Sequence, residues 1–543
     1  MTKRKRLVLG AFLAGGLAIA AAHAAQADAE DAPAVAQAAA ADPAPESTAL
    51  PEASLTSHEI EVAGRPIAYS ATAGTLPLGQ DPERPQAHMF YVAYTADAVE
   101  PGTRPVAFVL NGGPGASAAY LHLGALGPQR VVFEEDGAAP AAPPRVVPNA
   151  DTWLRFSDLV FIDPVETGFS RTVTEESDED ARRFLGTRPD LEALAAFVRL
   201  WLSRNERWAS PKFLVGESYG GFRVAALADL LAERQGIQVN GAVLISPVIE
   251  FSLHDGDDYT LLPWVLRVPS YAAAAHSHGR GSLATGRSND LQSVLDEAEA
   301  FSLAELLPGL AQGDHAAAPA AEALHRRLAD VIGLPPELVR RHAGRIPRGV
   351  FAKELLREDR RVVSVYDGSV AAIDPEPARS STGRDARLTQ LTATFAAAIN
   401  DYLRRDLDYA TDRPYRVLNP EVSRRWNWRA GRGGGQGYIG AADDLKNVLS
   451  REPGFQVLVV HGAYDLVTPY FTSVYVARQM RLDPEVRDSV RVEVYEGGHM
   501  FYTHGASRER LHCDARMLFE AASGEQRRAD APPAPAAPAP ALP

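Results

Sequence analysis

Short stretches in which almost every residue is apolar recur through the chain, most of them ending at Gly, Asp or Pro. They are VAFVLNGG (106–113), LVFIDPV (159–165), FLVGESYG (213–220), GAVLISP (241–247), VLVVHGAYD (457–465) and VRVEVYEGGH (490–499). Strands apolar on both faces belong in a parallel sheet covered by helices on either side. Ahead of them, HEIEV, PIAYSATA and HMFYVAYTA alternate apolar with polar residues and predict antiparallel strands. The intervening chain has helical spacing, as in DLEALAAFVRLWLSR (190–204). Together these elements predict an α/β fold with a mostly parallel central sheet and helices on both faces. One interval, about 251–435, carries long Ala/Leu/Arg segments such as AEALHRRLADVIG and ARLTQLTATFAAAINDYLRRDL and no sheet strand. It predicts a mainly helical insertion that sits above the sheet as a cap.

The two ends read differently. Residues 1–24 combine a basic start at Lys3 to Arg6 with an apolar stretch from Leu7 to Ala22 and small residues after it, the make-up of a secretory signal peptide. Residues 25–55 form an Ala/Pro/acidic linker and 524–543 a Pro/Ala-rich tail, both too poor in apolar residues to pack a core. The globular region is therefore 56–523. The 543 residues are 46% hydrophobic, enough for a large core, and the formal charge of −14 argues against nucleic acid or an anionic membrane surface as a partner. Cys513 is the single cysteine, so no intramolecular disulfide can form. An exported protein, periplasmic or secreted, without stable membrane association is expected.

Chemistry gathers at the strand ends. Gly216-Glu217-Ser218-Tyr219-Gly220 places a Ser in a G-x-S-x-G turn after an apolar strand and before a helix, the setting of a nucleophile held above a sheet edge. A Ser hydroxyl needs an imidazole to take its proton and a carboxylate to orient that imidazole. Asp465, just past one strand, and His499, in the Gly-rich turn after the next, follow in the chain order Ser, Asp, His found in α/β-hydrolases. His461 and His504 compete with His499, and Asp443 and Asp444 with Asp465, but their positions within a strand, beyond the turn and at a helix start suit structural roles. An oxyanion needs amide donors, which Gly113 of NGGPG and Tyr219 can supply. Neither H-E-x-x-H nor paired Cys occurs, so no metal or other cofactor is expected.

The segments LNGGPGAS, GESYGG, GAYDLVTPY and GGHMFY, with DPVETGFS (163–170), resemble the serine carboxypeptidase family from about Tyr91 to Tyr502. The resemblance implies an α/β-hydrolase fold and removal of C-terminal residues from peptides and proteins through an acyl-enzyme. It also implies that Asn111 and Glu217 bind the substrate's terminal carboxylate, with Glu217 protonated so that it can donate. The chain departs from the family in having Ala116 in place of Cys and Ala125 in place of a second Glu of carboxylate recognition. Phe501 and Tyr502 stand where the family often has Pro after His-Met, a change expected to alter only the pocket rim. The loss at Ala125 keeps open an esterase or acyltransferase on the same scaffold, and a catalytically inactive binding protein is the reading from another class.

Overall fold

The computed structural model describes residues 51–524 apart from Gln80, Pro82, Ala98, Pro101, 174–181, 283–289 and 429–438. The expected signal peptide, the linker up to residue 50 and the tail beyond 524 lie outside the described residues.

Among the described residues one sheet holds ten strands, nine of them in a row: β1 (Ser54–Val62), β2 (Arg65–Leu78), β3 (Ala87–Ala96), β4 (Val106–Leu110), β5 (Asp158–Ile162), β6 (Lys212–Glu217), β7 (Gly241–Ile245), β8 (Gln456–Gly462) and β9 (Val490–Tyr495), while the short strand Arg171–Thr172 pairs with β3 off that row. Their spatial order is β1-β2-β3-β5-β4-β6-β7-β8-β9. The alternating N-terminal strands pair antiparallel through β3 with β5. From β5 to β9 every pairing is parallel, with Phe108 beside Leu214 and Val243 beside Leu458. This is the α/β-hydrolase fold, its apolar strands buried in the middle as their composition requires. β9 is the exception. Its Arg491 and Glu493 alternate with valines because it closes the sheet as a half-exposed edge.

Alternate residues of the central strands feed two cores. Ala107, Val109, Phe213, Val215, Val243 and Ile245 face one, and Phe108, Leu110, Leu214, Ala242 and Leu244 the other. Helices α1 (Thr187–Arg204), α2 (Tyr219–Leu230) and α7 (Ala442–Arg451) cover the second core, and α8 (Gly505–Ala522) covers the first.

The segment between β7 and β8 is mainly helical but is not one uniform cap. Helices α3 (Val268–Ser277), α4 (Leu291–Phe301) and α5 (Ala318–Ile332) share a separate core with Phe351 and Leu355, into which Leu466 from the loop after β8 inserts. Helix α6 (Ala386–Arg405) instead joins the main core. Leu391, Phe395, Ala398, Ile399 and Tyr402 form one stripe at three- and four-residue spacing, and that stripe is buried against the sheet side. Arg361–Val363 and Ala371–Ile373 pair with each other as a small antiparallel ribbon that the helical reading of this interval did not foresee. Among the described residues no helix is long and apolar enough to cross a membrane.

Candidate active site

β6 ends at Glu217 and α2 begins at Tyr219, so Ser218 alone makes the turn between them. Its φ of 60° and ψ of −123° lie where residues with a side chain are rare. Its neighbours hold it there. The Ser218 N–H donates to Ile245 O at 2.9 Å, and its carbonyl accepts from Gly221 N at 2.9 Å and Val248 N at 3.2 Å. The flanking glycines are steric necessities: a Cβ on Gly216 would meet Gly220 O at 2.1 Å, and one on Gly220 would meet Leu110 O at 2.7 Å. Ser218 keeps partial exposure while Glu217, Tyr219 and Gly220 are buried.

His499 is fixed through its backbone. Its N–H donates to Tyr366 O at 2.6 Å, and its carbonyl accepts from Ser246 Oγ at 2.9 Å. Ile245 and Ser246, at the end of β7, therefore hold the nucleophile turn and the imidazole turn to one frame. Nδ1 of His499 lies 2.7 Å from Asp465 Oδ2. Asp465 is fully buried, and its Oδ1 accepts from Val467 N at 2.8 Å and Thr468 N at 2.9 Å. Burial pushes the Asp465 carboxyl up, but His499 and Thr468 outweigh it and hold its pKa below the usual value. For His499, burial works against the charge, yet Asp465 and then Glu217 prevail and leave its pKa raised. A charged acceptor at Nδ1 makes that nitrogen the donor, which leaves Nε2 able to accept a proton. Among the described residues no hydrogen bond yet joins Ser218 Oγ to Nε2; such contacts often tighten only when substrate is bound.

The competitors lie apart. His461 is buried with its Nε2 against Ser473 Oγ at 2.8 Å, and burial pushes its pKa down to about 4. His504 lies 3.7 Å from Asp367, not beside Asp465. Asp443 and Asp444 sit in the first turn of α7.

Gly112 and Gly113 pass directly over the nucleophile turn. A Cβ on Gly112 would come within 2.6 Å of Tyr219 N and 2.9 Å of Ser218 Cβ, so only glycine permits the approach. Gly113 has a φ of +99°, and neither its amide nor that of Tyr219 donates to another group among the described residues. Both remain open to an oxyanion.

Asn111 and Glu217 meet beside Ser218, with the Asn111 amide Nδ2 donating to Glu217 Oε2. The Asn111 Oδ1 accepts from Leu121 N at 3.2 Å, which fixes the amide as the donor toward Glu217. Glu217 is 2% exposed, and burial pushes its pKa up to about 7 against the opposing pull of His499, Tyr502 and Asn111.

The expectation for Tyr502 needs correction. Phe501 and Tyr502 are fully buried, and the Tyr502 hydroxyl donates to Glu217 at 3.0 Å from both carboxyl oxygens. The ring lies on the buried turn His122–Leu126 that contains Ala125; a Cβ on Gly124 would touch Tyr502 Cε2 at 2.7 Å. Tyr502 belongs to the interior of the site because the tight turn after His499 folds it back under Glu217.

Thr468 and the Arg223–Asp190 pair also escaped the sequence reading. Arg223, 1% exposed, binds Asp190 at 2.7 Å and donates to Asn111 O at 2.7 Å, so it supports the end of β4. Aromatic rings of the segment between β7 and β8 fall into two places. Trp426 and Trp428 lie 5.6 Å and 5.8 Å from the Tyr219 ring, and Phe251 lies 5.2 Å from Trp428. Tyr271 stacks on Phe351 at 4.1 Å inside the insertion's own core.

Residues 67–259 match a family model described as serine carboxypeptidase. Serine carboxypeptidase-like 8 of Arabidopsis thaliana is 28% identical over 192 residues, covering 34% of this chain and 41% of the relative. Serine carboxypeptidase-like 33 of the same plant is 32% identical over 153 residues, 28% of this chain and 30% of the relative. The chain thus spans less than half the length of these curated relatives. Among solved structures, proline iminopeptidase of Mycobacterium smegmatis aligns with a TM-score of 0.35 at 16% identity, covering 84% of this chain and 99% of that one.

Proposed function

We propose that the chain is a serine hydrolase of the serine carboxypeptidase kind that removes C-terminal residues from peptides, a reading supported by the match of residues 67–259 to the serine carboxypeptidase family model. Ser218 Oγ attacks the last peptide carbonyl as its proton passes to His499 Nε2, and the amides of Gly113 and Tyr219 receive the negative charge that forms on the carbonyl oxygen. The imidazolium then protonates the departing amine, the C–N bond breaks, and an acyl ester remains on Ser218. Water, deprotonated by the same imidazole, attacks the ester and releases the shortened peptide. The basic start and apolar stretch of residues 1–24, with the make-up of a signal peptide, support an enzyme that works outside the cytoplasm on peptide or protein C-termini.

One observation carries the choice of a terminal carboxylate as the recognition element. A carboxyl group with its pKa raised to about 7 lies buried against Asn111, directly before the nucleophile. Near neutral pH such a group is partly protonated and can give a hydrogen bond to a carboxylate, which an ionised Glu cannot. The test compares one acyl-dipeptide as free acid, C-terminal amide and ester, with the active fraction counted by fluorophosphonate labelling of Ser218 in a separate sample. A kcat/KM for the free acid at least tenfold above that for the amide supports the reading. Equal turnover of both, with the ester preferred, would make the protein an esterase instead.

A further inference from the structure

We propose that Tyr502 is the positioning residue of the Glu217 carboxyl group: Asn111 leaves Oε1 as the oxygen that takes up a proton, and the Tyr502 hydroxyl is the partner that holds the carboxyl in either charge state, and so governs how a substrate's terminal carboxylate is held beside Ser218. The proposal rests on the carboxypeptidase reading above and adds to it a residue that the sequence assigned only to the pocket rim.

The two donors to Glu217 differ in kind. Asn111 Nδ2 donates to Oε2, and since its Oδ1 is committed to Leu121 N, the amide cannot turn round to accept. Oε2 is therefore held as an acceptor, and a proton taken up by Glu217 belongs on Oε1. There it meets Tyr502, whose hydroxyl stands 3.0 Å from Oε1 and from Oε2 alike. A phenol both donates and accepts, so it can serve Glu217 in either charge state. With Glu217 ionised, Tyr502 donates to it. With Glu217 protonated, the phenol can accept from Oε1 or leave that proton to an incoming carboxylate.

The phenol is not free to leave. Its ring is fully buried against Gly124, and its carbonyl accepts from Arg508 Nη1 at 3.4 Å. The groups whose charge reaches Glu217 are His499 and Asp465, while Tyr120 and Tyr366 feel Glu217 in turn. The Tyr120 hydroxyl is engaged with Thr392 at 2.9 Å. Burial and the neighbouring carboxyl hold Tyr502 well above the usual phenol range, so it stays a protonated partner.

The hydrogen bond from Tyr502 favours the ionised form of Glu217, so its removal raises the Glu217 titration midpoint. Tyr502→Phe keeps the ring against Gly124 and deletes only the hydroxyl. Infrared difference spectra of the carboxyl C=O stretch, assigned by its loss in Glu217→Gln, should show that midpoint moving up by roughly one pH unit. Replacing Tyr502 by 3,5-difluorotyrosine, a stronger donor of the same shape, should move it down. An unmoved midpoint in either variant overturns the proposal. In kinetics the lost hold on the carboxyl should outweigh the extra protonation that the raised midpoint brings, so Tyr502→Phe should lose at least tenfold more kcat/KM on the free-acid peptide than on the ester, through KM; equal losses on both would mean a structural role and also overturn it. If the wild-type enzyme shows no preference for the free acid, the carboxypeptidase reading fails, while the infrared midpoint still decides whether Tyr502 governs Glu217.

Discussion

Thr468 donates its hydroxyl to Asp465 Oδ2 at 2.6 Å, while its backbone N–H donates to the other carboxyl oxygen at 2.9 Å. One residue thus grips both oxygens of the acid that orients His499. Its hydroxyl also lies 3.1 Å from His499 Nδ1 and 2.9 Å from Ser246 O, so it spans the acid, the base and the end of β7. Thr468→Val keeps the shape and removes the hydroxyl. A hydrogen bond to a charged group contributes about 1.5–3 kcal/mol, so kcat on a small ester should fall roughly tenfold or more with KM little changed. Undiminished kcat would show that the backbone amides suffice.

Activity against pH should divide by substrate. The base must be neutral, and because the His499 pKa is raised, the acid limb should lie above the ordinary histidine value of 6.5. A free-acid peptide also needs Glu217 protonated, which is lost as the pH rises through about 7. Its kcat/KM should trace a narrow bell near neutrality, with apparent limbs that belong to the coupled pair. An ester without a carboxylate should show the acid limb alone. Initial rates for both substrates from pH 5 to 9 check this, and a shared alkaline limb would contradict it.

The buried Arg223–Asp190 pair makes a prediction about stability. Arg223→Met leaves the Asp190 carboxylate without its partner in the core and should cost about 3 kcal/mol, read from denaturant midpoints. It also releases Asn111 O, so activity on free-acid peptides should fall further than activity on esters. Replacing both partners, with Asp190→Leu added, should recover most of the stability but not the recognition.

Trp428, 39% exposed, stands with Phe251 on the Tyr219 ring next to the nucleophile. Trp428→Ala should lower kcat/KM about tenfold for peptides with a bulky apolar residue near the scissile bond and leave those with Ala or Gly there almost untouched. A uniform loss across a peptide series would assign the ring to packing.

The sequence made the sheet readable because a strand buried on both faces has little choice but a continuous apolar run, and β4 to β8 all show one. The nucleophile turn was readable for a similar reason: the close approaches at Gly216 and Gly220 exclude any side chain, so glycine stands there visibly. What stayed hidden depends on tertiary contact. Tyr502 looked like a rim residue because nothing local says that the turn after His499 folds it beneath Glu217. Helix α6 looked like part of a cap because an amphipathic stripe states its width but not which core it joins. Thr468 stands inside GAYDLVTPY and Arg223 just beyond GESYGG, but neither position says that one grips Asp465 or that the other supports Asn111, and side-chain geometry alone reveals it.

Ile245, the last residue of β7, and Ser246, the next, have a mechanical consequence. Ile245 takes the amide of Ser218, and Ser246 takes the carbonyl of His499, so both turns are suspended from neighbouring links at the end of one strand. When the sheet flexes, that strand carries the hydroxyl and the imidazole along together. Breathing of the whole molecule then becomes common-mode motion, and the gap across which the proton must jump is insulated from it.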